Sequence, residues 1–446
     1  SQQDGKEETI DGKIIGMATY DFDSGAVLAV LDPARTKDDT YVRVYRQTTI
    51  GAYTIALPQG TRVRIDGMTL DDIGLRPSKL QVPQLAAMIA SVSQAGAKLT
   101  TAQTRDILET IAGAYEGLHI GNAEMRGLAT DTPQGPFKLA AIRFNMKNGK
   151  IGELAIEGLD ARSPQGPVKI ERFALKSFDV ANLLRLTSAF SNPEQKPSPD
   201  QVLGMFRLLE GAEIKGLVAP NNSGNKLVSI DTLSLNWGQF VGPIPSKAHL
   251  AAKFTVPINA ADLSLKQLVA AGMKTAAIDF DLRAAWTEAS GGFVLDPVTL
   301  EFGGVLKASA RISLANVPRG IFSLDPMQAT TMASQIDVGP MEVTLRDIGG
   351  INLAVAQYAQ AQKLSGEEAR HALIESITAN AKTMTDSSDV LVAAEALARF
   401  IENPRGTLIL KLTPLDKVPA MQIIQLMKTE PLLALAQFRI EVSSGL

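Results

Sequence analysis

The spacing of apolar and polar residues changes several times along this chain, and each change marks an element. From Lys13 to about Ile65 the text consists of short runs rich in β-branched and aromatic residues: KIIGMATYDF, AVLAVLD, TYVRVYRQTT, AYTIAL and TRVRI. Asp-Ser-Gly, Asp-Pro and Pro-Gln-Gly turns divide them, which predicts an antiparallel meander. The period then lengthens to that of a helix. VPQLAAMIASVSQAGA (from Val82) and TTAQTRDILETIAGAYEG (from Thr100) form a helical pair, the second opened by Thr100 as N-cap with Gln103 three residues on.

An internal repeat follows. IGNAEMRGLATDTPQGPFKLAAIRF, from Ile120, returns as IGELAIEGLDARSPQGPVKIERFAL, from Ile151, and a third copy begins at Ala212 with AEIKGLVAPNNSGNKLVSIDTLSL. Each copy reads as strand, turn and return strand. Gly-Leu (Gly127-Leu128, Gly158-Leu159) is expected to end the first strand and Pro-Gln-Gly-Pro to make the turn, with proline fixing φ and glycine supplying a positive one.

A second unit also recurs: a strand running into Asp or Asn and then a short amphipathic helix. It occurs as FALKSFDVANLLRLTSAF, FTVPINAADLSLKQLVAAG, ARISLANVPRGIFSLDPMQAT, VTLRDIGGINLAVAQYAQAQ and LILKLTPLDKVPAMQIIQLMK. The acidic or amide side chain can accept the first free helix N–H groups. Ser198, with Pro199 and Gln201, predicts a further helix start, and Ser365 with Glu368 a capping box. Ser388 or Asp389 opens another helix, Pro431 divides the last one, and TLILKL and FRIEV close the chain as strands.

The order of elements argues α+β: a curved antiparallel sheet built from repeated hairpins, helices packed on one face, and room for an apolar groove. The expected regions are an antiparallel β region over 1–80, a helical pair over 81–117, hairpin repeats with inserted helices over 118–260, and an α+β region over 261–446.

Composition narrows the function more than it names one. A formal charge of −3 gives no reason to expect nucleic acid. Absence of Cys removes disulfides and thiolate chemistry. The core is aliphatic, 45% hydrophobic with 5% aromatic, a lining that suits an alkyl chain. No apolar run of spanning length occurs, and the polar start SQQDGKEETIDG fits removal of a targeting segment or membrane anchor before Ser1.

Candidate chemistry is sparse. His119, His249 and His371 fall in different elements, and no metal-ligand, nucleophile-elbow, phosphate-loop or dinucleotide spacing is present. Asp21 and Asp23 share one side of a predicted strand end. No catalytic, cofactor or metal residue is assigned. Helices apolar on more than one face are the candidates for groove lining: Leu85, Met88 and Ile89 in one, Met421, Ile424, Leu426 and Leu433 in the other.

The repeat typified by AEMRGLATDTPQGPFKLAAIRF, with strand-to-Asp-to-helix units such as SFDVANLLRL and DIGGINLAVAQYA, resembles bacterial periplasmic proteins of the YdgA type and is similar in texture to the wider AsmA-like group. The resemblance covers much of Met68 to Ala356 and implies an exported or inner-membrane-anchored, β-rich envelope protein that handles lipid in an apolar groove. The helix-rich stretch after Gly349 departs from it, and no functional residue carries over. The expected function is therefore non-enzymatic binding or transport of a lipid or other long apolar ligand. A scaffold that binds an envelope protein partner is the alternative, and a hydrolase with a site assembled from distant residues ranks third.

Overall fold

The computed structural model describes residues 11–56, 61–95, 100–132, 135–190, 204–220, 227–242, 244–258, 268–269, 272–323, 325–384, 388–404 and 406–445. Among them the protein is α+β, with seventeen antiparallel strands, and it divides into two compact units, Ser1–Lys226 and Leu227–Leu446.

The first unit contains β1 (Asp11–Tyr20), α1 (Ser24–Ala29), β2 (Val42–Ala56), β3 (Arg62–Ile65), β4 (Gly67–Leu75), α2 (Val82–Ala95) and α3 (Thr101–Glu116). It continues with β5 (Leu118–Thr132), β6 (Gly135–Lys147), β7 (Lys150–Ser163), β8 (Gly166–Asp179), α4 (Val180–Phe190) and β9 (Gly211–Pro220). Strand β1 pairs with β2, β2 with β4, and β4 through β9 pair in sequence. The second unit holds β10 (Leu227–Val241), β11 (Ile244–Pro257), β12 (Thr275–Thr287), β13 (Gly292–Phe302), β14 (Leu306–Ala315), α5 (Pro326–Ala333) and β15 (Asp337–Asp347). Three helices follow, α6 (Gly350–Gln362), α7 (Gly366–Met384) and α8 (Ser388–Glu402), then β16 (Thr407–Pro414), α9 (Ala420–Thr429), α10 (Pro431–Leu435) and β17 (Phe438–Gly445). Its strands form an up-and-down meander, each pairing with the next.

Several predicted signals take their expected form. Thr100 and Gln103 make both bonds of a capping box, as do Ser365 and Glu368. Pro431 divides α9 from α10. Asp179 accepts from Asn182 N at 2.9 Å and Asp347 from Ile351 N at 2.8 Å, so two strands hand over directly to capped helices. In the third such unit the cap is Asp325, on Met327 N at 2.9 Å, after a short 3-10 turn; Asn316 instead donates to Asp337. Before α9 no side chain caps the helix. The unit from Phe254 runs out of the described residues after Ile258, and the Ser198 helix start lies outside them.

Other expectations need correction. AVLAVLD is not a strand: Ser24–Ala29 is helical, and Asp23 is its N-cap, accepting from Gly25 N at 2.8 Å. Asp21, with φ of 55°, pairs with Arg46 at 2.7 Å, so the two aspartates serve a strand exit and a helix start. VRVYRQTT and AYTIA form one strand, β2, and GMTLDDIGL is an additional one, β4.

The repeat is real, but its glycine does a different job. Gly127, Gly158 and Gly216 lie inside β5, β7 and β9, with φ of 64°, 64° and 57°. Directly opposed residues of an antiparallel pair share a face, so the register shows what happens there. On one side of the glycine, Met68, Met125, Ile142, Ile156, Phe173 and Ile214 make one apolar row across β4–β9. Beyond it the apolar pairs Leu128–Leu139 and Leu159–Ile170 sit on the opposite face, while Asp160 and Lys169 occupy the first. The repeated glycine marks the place where the sheet exchanges its apolar and polar faces.

Behind the apolar row lies an ionic lattice. Arg143 binds Glu124 at 2.9 Å and Glu157 at 2.7 Å, and Arg172 binds Glu157 at 2.6 Å, Glu153, and Glu213 at 3.3 Å. Small residues beneath these long side chains are sealed: Ala155 is 1% exposed and Ala174 0%. The charged face is thus closed by its own side chains, whereas the apolar row on the other face stays half-buried.

Helix α3 is tied to α4 through Glu116, which meets Arg185 at 2.6 Å and Lys79 at 3.4 Å. Burial alone would push the Glu116 carboxyl up, but these two cations outweigh it and hold it below the usual range. A lowered folded pKa gives stability that is present above the unfolded value, about 4.3, and lost as pH falls through the folded one. Urea midpoints measured from pH 6 down to pH 3 are expected to drop on the acid side, and Glu116→Gln to flatten that limb. An unchanged acid limb in the variant would remove Glu116 from the account.

Candidate apolar ligand face

In the second unit one apolar face runs on across the strands, through register shifts in the β10–β11, β12–β13, β13–β14 and β14–β15 pairings. Reading straight across the hydrogen-bond register, Leu235, Leu250, Leu282, Val298, Ala310, Val343, Leu410 and Val442 form one row over eight strands. The neighbouring row on the same face runs through Leu233, Ala252, Phe280, Leu300, Ala308, Leu345 and Leu408. The opposite face is polar and ion-paired, with Lys253–Asp279 at 3.7 Å, Lys307–Glu301 at 3.1 Å and Lys411–Glu342 at 3.7 Å. One face is therefore built for water and the other against it.

A sheet with one apolar face needs a second layer. Over β15–β17 helices supply it. Ala396 and Phe400 of α8 pack with Leu345, Leu408 and Val442, and Ile423 of α9 packs with Val338, Phe438 and Ile440. Over β10–β14 no buried cluster is built by any helix among the described residues. The side chains there are half-buried by one another, and Leu235 and Leu300 are 38% and 40% exposed. Trp286 closes one end: its indole N–H donates to Val317 O at 3.1 Å and its ring lies 4.8 Å from Phe322. An apolar surface of several strands' width, with charge kept to the opposite face, is the geometry of a binding surface for alkyl chains.

The helical lining candidates fall in both units. Leu85 and Met88 are half-buried and Ile89 is exposed on α2. On α9, Ile423 faces the sheet while Met421 and Ile424 are exposed and Leu426 is half-buried; Leu433 is exposed on α10. The residues of the β10–β14 face, Leu250, Phe280 and Leu300 among them, were not singled out from the sequence. The alternation in Phe280, Leu282, Ala284 and Trp286 carries their signal.

The histidines stand apart. His119 meets Asp72 at 3.1 Å beside Tyr41, whose hydroxyl donates to Glu116 O at 2.8 Å, fastening the end of α3 to the sheet. His249 meets Asp281 at 3.0 Å on β11 and β12, and His371 lies exposed on α7, 3.6 Å from Glu375. Among the described residues no three His, Asp or Glu side chains are grouped to hold a metal ion, and no helix is long and apolar enough to cross a membrane.

A family model described as an uncharacterized protein matches residues 299–445, the stretch from β13 to β17. No curated protein matches the chain.

Proposed function

We propose that this is a non-enzymatic protein of the bacterial cell envelope, periplasmic or held at the inner membrane, that binds or passes a lipid or other long apolar ligand. One observation carries the reading: the apolar face of β10–β14 continues the face that helices cover at β15–β17, yet has no helical layer of its own among the described residues. An alkyl chain lying along such a face gains about 25 cal/mol per Å² removed from water, and it needs no catalytic group. The resemblance to YdgA-type and AsmA-like proteins points the same way. Organic extraction of natively purified protein followed by mass spectrometry is expected to recover a lipid, and the double variant Leu250→Asp, Phe280→Asp to recover little. Lipid-free wild-type protein, or equal recovery from a folded double variant, would overturn the reading.

A second reading rests on β1. Among the described residues this strand pairs only with β2, and Ile14, Ile15 and Met17 are more than half exposed. An open strand edge of this kind can accept a strand from a protein partner. A scaffold role predicts a stable envelope partner in pull-downs that is lost on Ile15→Pro.

A further inference from the structure

The polar face of the second unit carries a cup that the lipid reading does not use. It lies over β10, β11 and β12, has a volume of about 660 Å³, and is lined by Asn236, Gln239, Lys247, His249, Arg283 and Asp296. Its floor is low because two positions lack bulk. A Cβ added at Gly238 would meet nothing within 4 Å, and Ala285 stands opposite Lys247 in the β11–β12 register. The β10 wall is shaped by Gln239, whose φ is 50° and whose carbonyl accepts from the buried Ser246 hydroxyl.

The charges in the cup do not cancel. Arg283 shares Asp281 with His249, at 3.4 and 3.0 Å, and Asp296 is held by Arg311 at 3.5 Å. Lys247 is exposed and has no ion-pair partner among the described residues. Lys247, Arg283 and Arg311 set against Asp281 and Asp296 leave one net positive charge beside two side-chain amides. Cations from two adjacent strands over an empty floor favour a multiply charged oxyanion, and amides at the rim suit hydroxyl groups.

We infer that this cup binds a phosphate ester carrying hydroxyl groups, of glycerophosphate character, either free or as the headgroup of a lipid. The cup and the apolar face lie on opposite sides of the same strands, so the two sites stand or fall separately. Titration calorimetry with glycerol 3-phosphate and flotation with phosphatidylglycerol vesicles, each at pH 7, test it. Phosphatidylcholine vesicles provide the neutral control. Saturable binding of the free ester assigns the site to a soluble ligand, and binding of the anionic vesicles alone assigns it to a headgroup. In either case Lys247→Gln is expected to weaken binding about tenfold, the size of one lost charge-assisted hydrogen bond. Gly238→Leu, which fills the floor without touching a charge, is expected to abolish it. Lys247→Glu at the same exposed position keeps the test valid should the leucine variant not fold. Absence of saturable binding to both probes, or binding that survives Lys247→Gln and Lys247→Glu unchanged, would overturn the inference.

Discussion

Gly158→Val is expected to destabilise the first unit by about 3 kcal/mol or more, counting a left-handed φ forced on a β-branched residue together with overpacking. Gly158 holds φ at 64° in the middle of β7, and a Cβ there would stand 2.6 Å from the Ala140 Cβ across the ladder. Ala140 is a backbone-fixed methyl and cannot swing aside. Gly216 is more forgiving in space, because an added Cβ there would meet the outer part of the flexible Glu171 side chain, whereas at Gly127 it would stand 2.7 Å from the Asp66 Cβ, which is as fixed as that of Ala140. Urea denaturation followed by circular dichroism measures the loss, with Gly238→Ala as the control whose added methyl meets nothing and costs nothing measurable. A cost below about 1 kcal/mol for Gly158→Val would show that the strand tolerates an ordinary residue where the faces exchange.

The second large effect is expected at Trp286. It is 5% exposed, sits opposite Phe293 on the apolar face, packs its ring at a 60° tilt against Phe322 and donates to Val317 O. Trp286→Ala removes a large buried ring and is expected to cost about 3–5 kcal/mol. Trp286→Phe keeps most of the volume and loses the hydrogen bond, at about 1–1.5 kcal/mol. Thermal unfolding of the two variants gives the comparison. Equal losses would mean that the hydrogen bond, and not the filled volume, anchors this end of the sheet.

Much of the fold was legible because it rests on local chemistry. The turn glycines Gly135 and Gly166 have the positive φ expected of them, whereas the glycines of the Gly-Leu pairs lie inside strands. Capping residues such as Thr100, Ser365, Asp179 and Asp347 act through bonds to residues two to four positions on, which spacing alone reveals. The errors have physical causes too. AVLAVLD is too short for its period to separate helix from strand, and only Asp23 as N-cap decides it. Gly51 looks like a turn residue, yet β2 runs through it: β1 passes so close that a Cβ would stand 2.8 Å from Ile15 O. In β4 the pair Asp71-Asp72 hides a strand, because Asp71 is stabilised by amides from Gln47 and Asn122 on its neighbours.

The apolar face belongs to a different class of information. Leu235, Leu250, Leu282, Val298 and Ala310 are dispersed over 76 positions, and only the pairing register makes them neighbours. Their alternation could be read strand by strand, but that no helix among the described residues layers over β10–β14 is a tertiary fact. Exposed helix residues such as Ile89 and Met421 drew attention because a helix displays its stripe within one segment. The cup at Lys247 was invisible for the same reason, since its floor is defined by what Gly238 and Ala285 lack.

Leu300 and Glu301 are adjacent in β13 and point to opposite faces, which makes them a matched pair of reporters. A photo-crosslinking amino acid placed at position 300 is expected to capture an acyl chain when irradiated in a cell-envelope fraction, detected as a mass adduct on the purified protein, and the same group at position 301 is expected to capture none. Adducts at 301 in place of 300, or none at either position, would contradict the claim that the apolar side of β10–β14 is where the ligand lies.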